Sequence, residues 1–386
     1  MRFRDALAQP GLGAIAEFKR RSPSLGDIRP GARIDDILPR YAANGASAIS
    51  VLVDERFAGT VDDLRAARAA VETPLLAKGF FSTEDHLTEL KEAGADAALL
   101  ILRDLDDETT TRLLAHADRI GLDTLVEAHD RDELARATRL RAPVIGVNAR
   151  DLQTFAIDRG SQLEIVAEAA RGDSLVIAES AVHSRAQAAA AELAGADAVL
   201  VGTSLMQAND PGAKLRDLLA RPLVKVCGLT RQEDVDAAVE AGADLLGFIF
   251  VEQSPRKAEA VLDVPETNLS VAVYVGERGD AGADLTQFYP DDDGTVRGRR
   301  AEILRGDERV ATLLDQPWQG DDPEHWARAR EAEGRIVLAG GLGPDNVRAA
   351  IDAVQPWAVD AASSLESAPG IKDHDKVRAY VEAAHA

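Results

Sequence analysis

The 386-residue chain lacks most features that point to a secreted or membrane protein. Its one cysteine, Cys227, excludes an intramolecular disulfide and a zinc site built from several cysteines. No run of about 18 apolar residues is present, so no transmembrane helix is predicted. The start of the chain lacks the continuous apolar stretch of a signal peptide. We therefore expect a cytoplasmic protein.

Positive charge and aromatic residues are also scarce. The chain has 44 basic and 66 acidic residues, which give a net charge of −22. A surface of that sign argues against nucleic acid and anionic membranes as partners, because both attract Lys and Arg. A small phosphorylated substrate remains compatible, since a local site can override the overall field. Hydrophobic residues make up 46% and aromatic residues 4%, so the cores are expected to consist mostly of Ala, Val, Leu and Ile.

Short apolar runs recur along the first half of the chain, and several end in charged or amide side chains. Runs of that length are typical of buried parallel strands. An ionisable group is costly there unless it lies at the open end of the strand. In an eight-stranded α/β barrel, that end carries the active site. The residues that end these runs are Glu17, Lys19, Lys78, Glu127, Asn148 and Glu179.

A Gly-Ala-Asp or Gly-Ala-Ser phrase recurs, starting at residues 45, 94, 195, 242 and 282. Such a glycine ends a helix in the left-handed conformation, and the turn leads into the next strand. The phrase occurs on both sides of residue 220, which predicts an α/β protein of two tandem (β/α)8 TIM barrels. The predicted domains are 1–220 and 221–386. The join at 218–222 is too short for a flexible tether, so we expect the two barrels to be packed against each other. We also expect the protein to be a monomer.

The strand pattern supports eight strands in each half. In the first half they are predicted near 14–18, 48–53, 74–78, 97–102, 124–128, 144–148, 175–179 and 198–202. In the second half they are predicted near 223–227, 245–250, 270–275, 285–289, 297–303, 309–314, 335–339 and 357–361. Alternation with helical patterns predicts parallel sheets with right-handed crossovers. The stretch at 297–303 has the weakest strand pattern.

Motifs along residues 13–220 resemble the indole-3-glycerol-phosphate synthase family, in the family's order. They are IAEFKRRSPS at 15–24, ERFAG at 55–59, LAKGF at 76–80, LVEAH at 125–129, GVNARDL at 146–152, AES at 178–180 and VGTSL at 201–205. The resemblance implies a reaction that closes an indole ring on a phosphorylated carboxyphenylamino-deoxyribulose. Carbon dioxide and water are lost.

The chemistry implied by this resemblance needs acids and a base. Lys78 is the candidate for the acid that polarises the ketone, and Glu127 is the candidate base for dehydration. Lys19 either grips the substrate carboxylate or acts as the second acid, and the sequence leaves this open. Glu17 joins the other rim carboxylates in holding the Lys78 ammonium. The residues expected to orient the anthranilate part and the other charges are Asn148, Arg150 and Glu179.

Phosphate is expected near the seventh and eighth strands, where backbone N–H groups and a helix N-terminus form an anion site. The positions that match the family are Ser22, Ser180, Gly202 and Thr203. The family usually has Gly after the Glu-Ser pair, and this chain has Ala181. A methyl group there is expected to crowd the phosphate or to force a different backbone angle, which would weaken binding.

The second half resembles the phosphoribosylanthranilate isomerase family. The matching motifs are VKVCGLT at 224–230, GFIF at 247–250, SPR at 254–256, LLD at 313–315, LAGGL at 338–342, VDAASS at 359–364 and PGIKD at 369–373. The resemblance implies an Amadori rearrangement with Cys227 as the base, Asp315 as the acid and Arg256 holding the anthranilate carboxylate. The implied phosphate-loop positions are Gly340, Gly341, Ser363 and Ser364. Neither reaction requires a metal or an organic cofactor, and the expected partners are small phosphorylated anthranilate-derived substrates.

The middle of the second half, 276–311, departs from the family pattern. QFYP at 287–290 replaces Gln-Leu-His-Gly, and WQGDD at 318–322 replaces the usual Gly-Gly-Thr-Gly loop. Two alternatives therefore stay open: an active synthase with a degenerate structural second barrel, and a non-catalytic barrel that binds a phosphate ligand. The full set of acid and base residues speaks against the second alternative. The histidines expected to be surface or capping residues are His129, His183 and His325.

Overall fold

The computed structural model describes residues 2–150, 157–290, 299–316 and 323–386. The divergent loop at 318–322 therefore lies outside the described residues, as does the end of the motif at 146–152. The chain forms two compact units, Met1–His183 with Ala188–Leu219, and Ser184–Gln187 with Ala220–Ala386. No helix within the described ranges is long and apolar enough to cross a membrane.

The first unit contains a closed barrel of eight parallel strands, as predicted. Strands of this unit are β1 (Gly13–Phe18), β2 (Arg21–Ser22), β3 (Gly26–Asp27), β4 (Ala48–Leu52), β5 (Leu75–Lys78), β6 (Ala97–Ile101), β7 (Asp123–Ala128), β8 (Val144–Asn148), β9 (Leu175–Glu179) and β10 (Ala198–Val201). The barrel order is β1-β10-β9-β8-β7-β6-β5-β4, and β2 and β3 form a separate small hairpin. Each predicted strand is present with its ends within one residue of the prediction.

Helices alternate with these strands, which confirms the predicted βα repeat. They are α1 (Phe3–Leu7), α2 (Ile34–Ala43), α3 (Val61–Ala70), α4 (Glu84–Glu92), α5 (Asp107–Ile120), α6 (Arg131–Arg139), α7 (Arg159–Ala169), α8 (Arg185–Leu193), α9 (Thr203–Gln207) and α10 (Pro211–Leu219). Local sequence explains where several of them begin. Thr60, for example, accepts a hydrogen bond from the Asp63 backbone, and the Asp63 carboxylate accepts one in return. This capping box satisfies backbone N–H groups that the first turn of α3 leaves unpaired.

The strand period explains why the charged residues point into the barrel. Successive side chains of a strand face opposite sides of the sheet. In β1, Ala16 packs outward against the helices, whereas Ile15 belongs to the cluster inside the barrel. Glu17 lies two residues after Ile15 and therefore faces inward at the end of the strand. Lys78, Glu127 and Glu179 face inward for the same reason. Each lies two residues after an interior residue: Leu76, Leu125 and Ile177, respectively.

Helix α1 closes the opposite end of this barrel. Phe3 and Leu7 are buried in the interior cluster. Arg2 donates a hydrogen bond of 2.7 Å to Asp123 at the start of β7. Because α1 fills the end where the strands begin, the cavity of the barrel opens only toward the end where the strands finish.

The second unit also contains a closed barrel of eight strands. Its strands are β11 (Leu223–Cys227), β12 (Leu245–Ile249), β13 (Leu269–Val275), β14 (Leu285–Tyr289), β15 (Arg299–Arg305), β16 (Glu308–Asp315), β17 (Ile336–Leu338), β18 (Ala358–Ala361), β19 (Glu366–Ala368) and β20 (Ile371–Lys372). The barrel follows chain order from β11 to β18, while β19 and β20 form a small hairpin. All eight predicted strands exist.

The prediction of an all-parallel sheet is wrong for this barrel. Strand β15 is antiparallel to both β14 and β16. Only Gly306 and Asp307 separate β15 from β16, and Gly306 has φ +60°. A parallel connection needs a dozen or more residues, so such a short turn permits only a hairpin. The reversal pairs Arg299, the first residue of β15, with Asp315, the last residue of β16.

The helical layer of the second barrel is incomplete. Its helices are α11 (Gln232–Ala241), α12 (His325–Glu331), α13 (Val347–Val354) and α14 (His374–His385). The connections at 250–268 and 276–284 are fully described and contain no helix. The connection at 276–284 has nine residues, three of them glycine, which is too short and too flexible for a helix and its two turns.

Candidate functional site

A cavity of about 450 Å³ opens at the end of the first barrel where the strands finish. Every residue predicted for the synthase site lines it, except one. The lining residues among them are Glu17, Lys19, Ser22, Lys78, Glu127, Asn148, Arg150, Ser180, Gly202 and Thr203. The exception, Glu179, is fully buried below the cavity and contacts Lys78.

Lys78 is at the centre of the polar part of this cavity. Its Nζ lies 2.5 Å from Glu179 Oε2 and 3.7 Å from an Oε2 atom of both Glu17 and Glu127. Burial alone would lower the pKa of Lys78, but the three carboxylates outweigh it and raise the pKa above its ordinary value. The ammonium is therefore charged at neutral pH and held at the mouth of the barrel.

Glu17 is shared between two lysines. Lys19 Nζ lies 2.8 Å from Glu17 Oε1, on the side away from Lys78. Burial raises the pKa of Glu17, but the charges of Lys19 and Lys78 outweigh it and lower the pKa overall. Gly202 leaves room for this arrangement, because a Cβ at that position would overlap Glu17 Oε1. Gly202 was predicted from a phosphate motif, and the structure adds this steric reason for a glycine.

Two of the carboxylates, Glu127 and Glu179, influence each other. Burial raises the pKa of Glu179, and the nearby charge of Glu127 raises it further. The pKa of Glu127 is lowered, because His129 and Lys78 outweigh the effect of burial. Oε2 of Glu127 and Oε1 of Glu179 are buried without a hydrogen-bond donor among the described residues. Glu127 lines the cavity and is therefore able to accept a proton or a hydrogen bond from a ligand, whereas Glu179 lies below it.

His129 was expected at the surface or as a helix cap, and this prediction is wrong. Its side chain is 2% exposed and lies between two carboxylates, with Nε2 3.2 Å from Glu127 Oε1 and Nδ1 3.0 Å from Glu133 Oε2. Arg103 approaches Glu133 from the other side, at 3.0 Å. The sequence gives one signal for this: four residues separate His129 from Glu133, which is one helical turn.

The predicted phosphate-binding residues surround one end of the cavity. Ser180 and Ala181 both have left-handed backbone conformations, with φ of +70° and +57°. Ala181 thus keeps the conformation that favours the family's usual glycine, at a cost in strain. Ser180 Oγ donates a hydrogen bond of 2.8 Å to Asn148 Oδ1, which also accepts the backbone N–H of Arg150 at 3.0 Å.

Cations gather at this end of the cavity despite the acidic charge of the whole chain. Arg150 lines the cavity, and Arg159 donates a hydrogen bond of 2.8 Å to the carbonyl of Ala181. Burial lowers the pKa of His183, and the charges of Lys214, Arg159 and Arg150 lower it further. The local field therefore favours an anion, as a phosphate site requires.

Apolar side chains also line the cavity. Leu25, Phe80 and Ile157 line it and remain 54%, 36% and 45% exposed. The guanidinium of Arg56 lies over the Phe80 ring at 3.7 Å. Large apolar side chains left open around a cavity suit a flat aromatic ligand group, because binding removes their surface from water.

The second barrel also carries a buried cation near its predicted catalytic residue. Lys225 and Cys227 are two residues apart in β11 and face the same side. Lys225 is 1% exposed, and its Nζ lies 2.8 Å from Asp360 Oδ2 and 2.9 Å from Gln287 Oε1. Burial raises the pKa of the Cys227 thiol, and the charge of Lys225 partly offsets this.

A chain of hydrogen bonds links this lysine to Asp315. Gln287 donates to the Tyr289 hydroxyl at 3.0 Å, and that hydroxyl donates to Asp315 Oδ2 at 3.3 Å. Gln287 and Tyr289 belong to the QFYP stretch that departs from the isomerase family. The departure therefore supplies a new contact to the predicted acid. Sequence analysis missed this contact because the two residues are on a strand adjacent to neither Cys227 nor Asp315.

Arg256 is already paired within the protein. Its guanidinium donates to both carboxylate oxygens of Glu366, at 2.7 and 2.8 Å. It also packs closely on Gly228, where a Cβ would lie 2.9 Å from its Cδ. Since Gly228 follows Cys227, this contact places Arg256 beside the predicted base. Glu366, which sequence analysis did not select, fixes the orientation of the guanidinium.

The four predicted phosphate-loop positions of the second barrel come from two adjacent loops. Gly340 and Gly341 have φ of +93° and +66°, which glycine adopts readily. Ser363 begins the short 3₁₀ turn Ser363–Leu365, and Ser364 donates a hydrogen bond to the Leu342 carbonyl. That bond joins the loop after β17 to the loop after β18.

No group of three or more His, Cys, Asp or Glu side chains in the described part of the chain is arranged to hold a metal ion. The three carboxylates of the first barrel converge instead on the ammonium of Lys78.

Comparison with known protein families yields two matches along the chain. The model described as indole-3-glycerol phosphate synthase matches residues 1–218. The model described as N-(5'phosphoribosyl)anthranilate (PRA) isomerase matches residues 312–383. The first match covers the whole of the first barrel, and the second covers the end of the second barrel from Thr312 onward.

Relatives of known name match one or both units. The Tryptophan biosynthesis protein TrpCF of Yersinia pestis is 32% identical over 96% of this chain and 84% of that protein. The Indole-3-glycerol phosphate synthase of Streptomyces griseus is 45% identical over 56% of this chain and 80% of that protein. The Multifunctional tryptophan biosynthesis protein of Schizosaccharomyces pombe is 31% identical over 99% of this chain. This chain spans 60% of the length of that fungal protein.

Proposed function

The chain belongs to the indole-3-glycerol phosphate synthase family, and on that premise we propose that it catalyses two consecutive steps of tryptophan biosynthesis. The second barrel isomerises N-(5-phosphoribosyl)anthranilate to 1-(2-carboxyphenylamino)-1-deoxyribulose 5-phosphate. The first barrel then closes that product to indole-3-glycerol phosphate. The observation that carries the proposal is the cavity of the first barrel, where an ammonium held by three carboxylates lies among apolar and cationic side chains.

The proposed ring closure begins at Lys78. Its ammonium donates to the ketone oxygen, which makes the carbon electrophilic toward the aromatic ring. A carbon–carbon bond forms, the aromatic carboxylate leaves as carbon dioxide, and the hydroxyl derived from the ketone leaves as water. Glu127 takes the proton that must leave carbon in the dehydration. Its lowered pKa keeps it ionised for that role, and its Oε2 atom is free of other donors among the described residues.

The remaining cavity residues bind the substrate in this proposal. The phosphate lies at the cationic end, against Ser22, Ser180, Gly202 and Thr203. Arg150 and Asn148 orient the anthranilate part, whose ring packs on the apolar residues. Lys19 keeps its two alternative roles, because its Nζ is both paired with Glu17 and exposed to the cavity. Glu179 acts through Lys78, since it does not reach the cavity surface.

The proposed isomerisation uses Cys227 as the base that removes the proton from C2′ and Asp315 as the acid that opens the ribose ring. Lys225 supports the thiolate form of Cys227. Arg256 holds the anthranilate carboxylate while Glu366 maintains its orientation. The phosphate lies against Gly340, Gly341, Ser363 and Ser364.

We assign the synthase to residues 1–220 and the isomerase to 221–386. The two compact units and the two family matches support this division. That the protein is a cytoplasmic monomer stays a prediction. Light scattering on the purified protein checks the second part, since a monomer has a mass of 41.1 kDa.

The two activities are tested by supplying each substrate separately. Phosphoribosylanthranilate should yield indole-3-glycerol phosphate, with the carboxyphenylamino intermediate appearing first. Lys78→Ala should abolish ring closure and leave isomerisation unchanged, and Cys227→Ala should do the reverse. Loss of both activities in either variant, with the melting temperature unchanged, would contradict two separate sites.

One observation favours the alternative in which only the first barrel is active. Strand β15 is reversed, so the second barrel lacks a parallel strand between β14 and β16. In that case phosphoribosylanthranilate alone would give no product, whereas the carboxyphenylamino substrate would still be closed. No turnover of either substrate would leave the third possibility, a barrel that only binds a phosphate ligand.

A further inference from the structure

The histidine buried beside the predicted base of the first barrel has no role in the mechanism described so far. His129 follows β7, and both nitrogens of its ring face a carboxylate, at 3.2 Å for Glu127 and 3.0 Å for Glu133. Nδ1 forms a hydrogen bond with Glu133, whereas Nε2 approaches Glu127 at an ion-pair distance without the geometry of a hydrogen bond. Both carboxylates attract an imidazolium at these distances, so the arrangement suits the charged form of His129.

Glu133 is itself fixed, so the position of His129 is well determined. Its Oε2 atom accepts the backbone N–H of His129 at 2.8 Å in addition to the ring contact. Its own backbone N–H donates to Asp130, the N-cap of α6, at 2.8 Å. Arg103 donates a hydrogen bond to the Oε1 atom of Glu133. These contacts hold the imidazole against Glu127 from the side opposite the cavity.

We propose that His129 is a positioning residue for ring closure, which holds Glu127 ionised and turns its free oxygen toward the substrate. His129 engages Oε1 of Glu127, which leaves Oε2 facing Lys78 at 3.7 Å. Glu127 Oε2 takes the proton from the substrate, and His129 stays protonated throughout. This inference rests on the proposed synthase function. It adds a residue that acts through Glu127 and does not line the substrate cavity.

The electrostatics of the site agree with this role. Burial alone lowers the pKa of His129, but Glu127 and Glu133 outweigh it and raise the pKa to about 9. The other charged groups near the ring line a second cavity beside it: Arg103, Asp130, Arg131, Asp132 and Asp158. Lys78 lies beyond Glu127.

Replacement of the histidine tests the proposal through the pH dependence of ring closure. In His129→Asn, Glu127 loses a nearby cation, so the acid limb of kcat/KM should move to higher pH by about 1–3 units. The lost rate should return once the pH is above the shifted limb. If the limb does not move and activity falls equally at every pH, His129 is only structural and the proposal is wrong.

His116→Asn is a matched control. His116 is also buried and lies 2.8 Å from a carboxylate, that of Glu84, but it does not line the substrate cavity. This variant should lose stability without moving the acid limb. Isomerase turnover of each variant is an internal control, because the proposed isomerase site belongs to the other barrel.

A second measurement does not depend on turnover or on the variant folding. In wild-type protein with ¹⁵N-labelled histidine, NMR should find the His129 ring doubly protonated at pH 7.5. Glu127→Gln should lower its pKa. A neutral ring at pH 7.5 would overturn the proposal. Absence of ring closure by wild-type protein would instead refute the proposed function, while the ring titration would still decide the state of His129.

Discussion

The two barrels of this chain place their buried charges at different depths. In the first barrel, Lys78 ends its strand, is 14% exposed and lines a cavity. In the second, Lys225 lies two residues before the end of β11 and is 1% exposed. A charge at the strand end is available to a ligand. A charge two residues earlier, like that of Lys225, contacts buried side chains such as Asp360 and Gln287. The same residue type thus lines a cavity in one barrel and is buried in the interior of the other.

The barrels also differ in how regular they are. The first alternates strands and helices and is parallel throughout. The second replaces one crossover by a hairpin, which brings the start of β15 to the mouth beside Asp315. A closed barrel therefore tolerates one reversed strand, because each strand needs two neighbours to pair with, whatever their direction. The difference leads to four predictions, which follow in order of decreasing effect.

The largest effect is expected from removing the deep lysine. Lys225→Met leaves Asp360 as a buried charge without its partner and should destabilise the second barrel by about 3–5 kcal/mol. Chemical unfolding measures this change. Exposed Lys257→Met is the control, and Lys225→Met/Asp360→Leu should recover most of the loss. A stable single variant would show that the deep ion pair is not needed, and the contrast between the barrels would fail.

Two glycines test whether each site depends on its own close packing. A Cβ at Gly202 would overlap Glu17, and one at Gly247 would lie 2.7 Å from Cys227 Sγ. Gly202→Ala should reduce ring closure and Gly247→Ala should reduce isomerisation, each by about 100-fold, because small displacements of reacting groups are costly. Separate assays of the two activities check this. An equal loss of both in one variant would contradict independent sites.

The pH dependence of the two activities should differ. Burial raises the pKa of Cys227, and its active form is the thiolate, so isomerase kcat/KM should rise about tenfold per unit between pH 6 and 8. Glu127, with a lowered pKa, is ionised over that whole range, so it should add no pH dependence to ring closure there. The charge on His129 supports the first barrel at low pH and is lost as the pH rises through about 9. A flat isomerase profile would argue against Cys227 as the base.

The smallest effect concerns the strained alanine at the predicted phosphate site. Ala181→Gly should stabilise the first barrel by about 1 kcal/mol, because glycine adopts positive φ without a steric penalty. It should also lower the KM for the phosphorylated substrate. Ala58, with φ +56°, is a matched control. Ala58→Gly should change stability alone. A KM change of equal size in Ala58→Gly would show that the KM change in Ala181→Gly does not arise from phosphate binding.

Features of the fold and of the site were predictable from the sequence where they depend on neighbouring residues, and were not where they depend on segments far apart in the chain. The eight strands of the first barrel and their inward charges follow from a period of two residues that any single strand displays. Lys78 and Glu127 were therefore found without tertiary information. His129 was not, because Arg103, which holds Glu133 in place, becomes adjacent to this pair only after β6, β7 and α6 pack together.

The direction of β15 in the second barrel was likewise not predictable from the sequence of that segment. The pattern at 297–303 predicted a strand but not its direction, because alternation reads the same way along either direction of a chain. The two-residue turn at Gly306 gave the only local signal for a hairpin. Likewise, Gln287 and Tyr289 looked like a departure from a motif until the barrel joined them to Lys225 and Asp315.

The sequence alone thus determined the number of strands, the faces of their side chains and the residues at their ends, since local periodicity and steric rules are properties of one segment. Tertiary structure decided which of those ends converge, which carboxylate partners which cation, and which way β15 runs. Those outcomes depend on distances between segments far apart in the chain. In particular, packing placed His129, which was expected at the surface, between the carboxylates of Glu127 and Glu133.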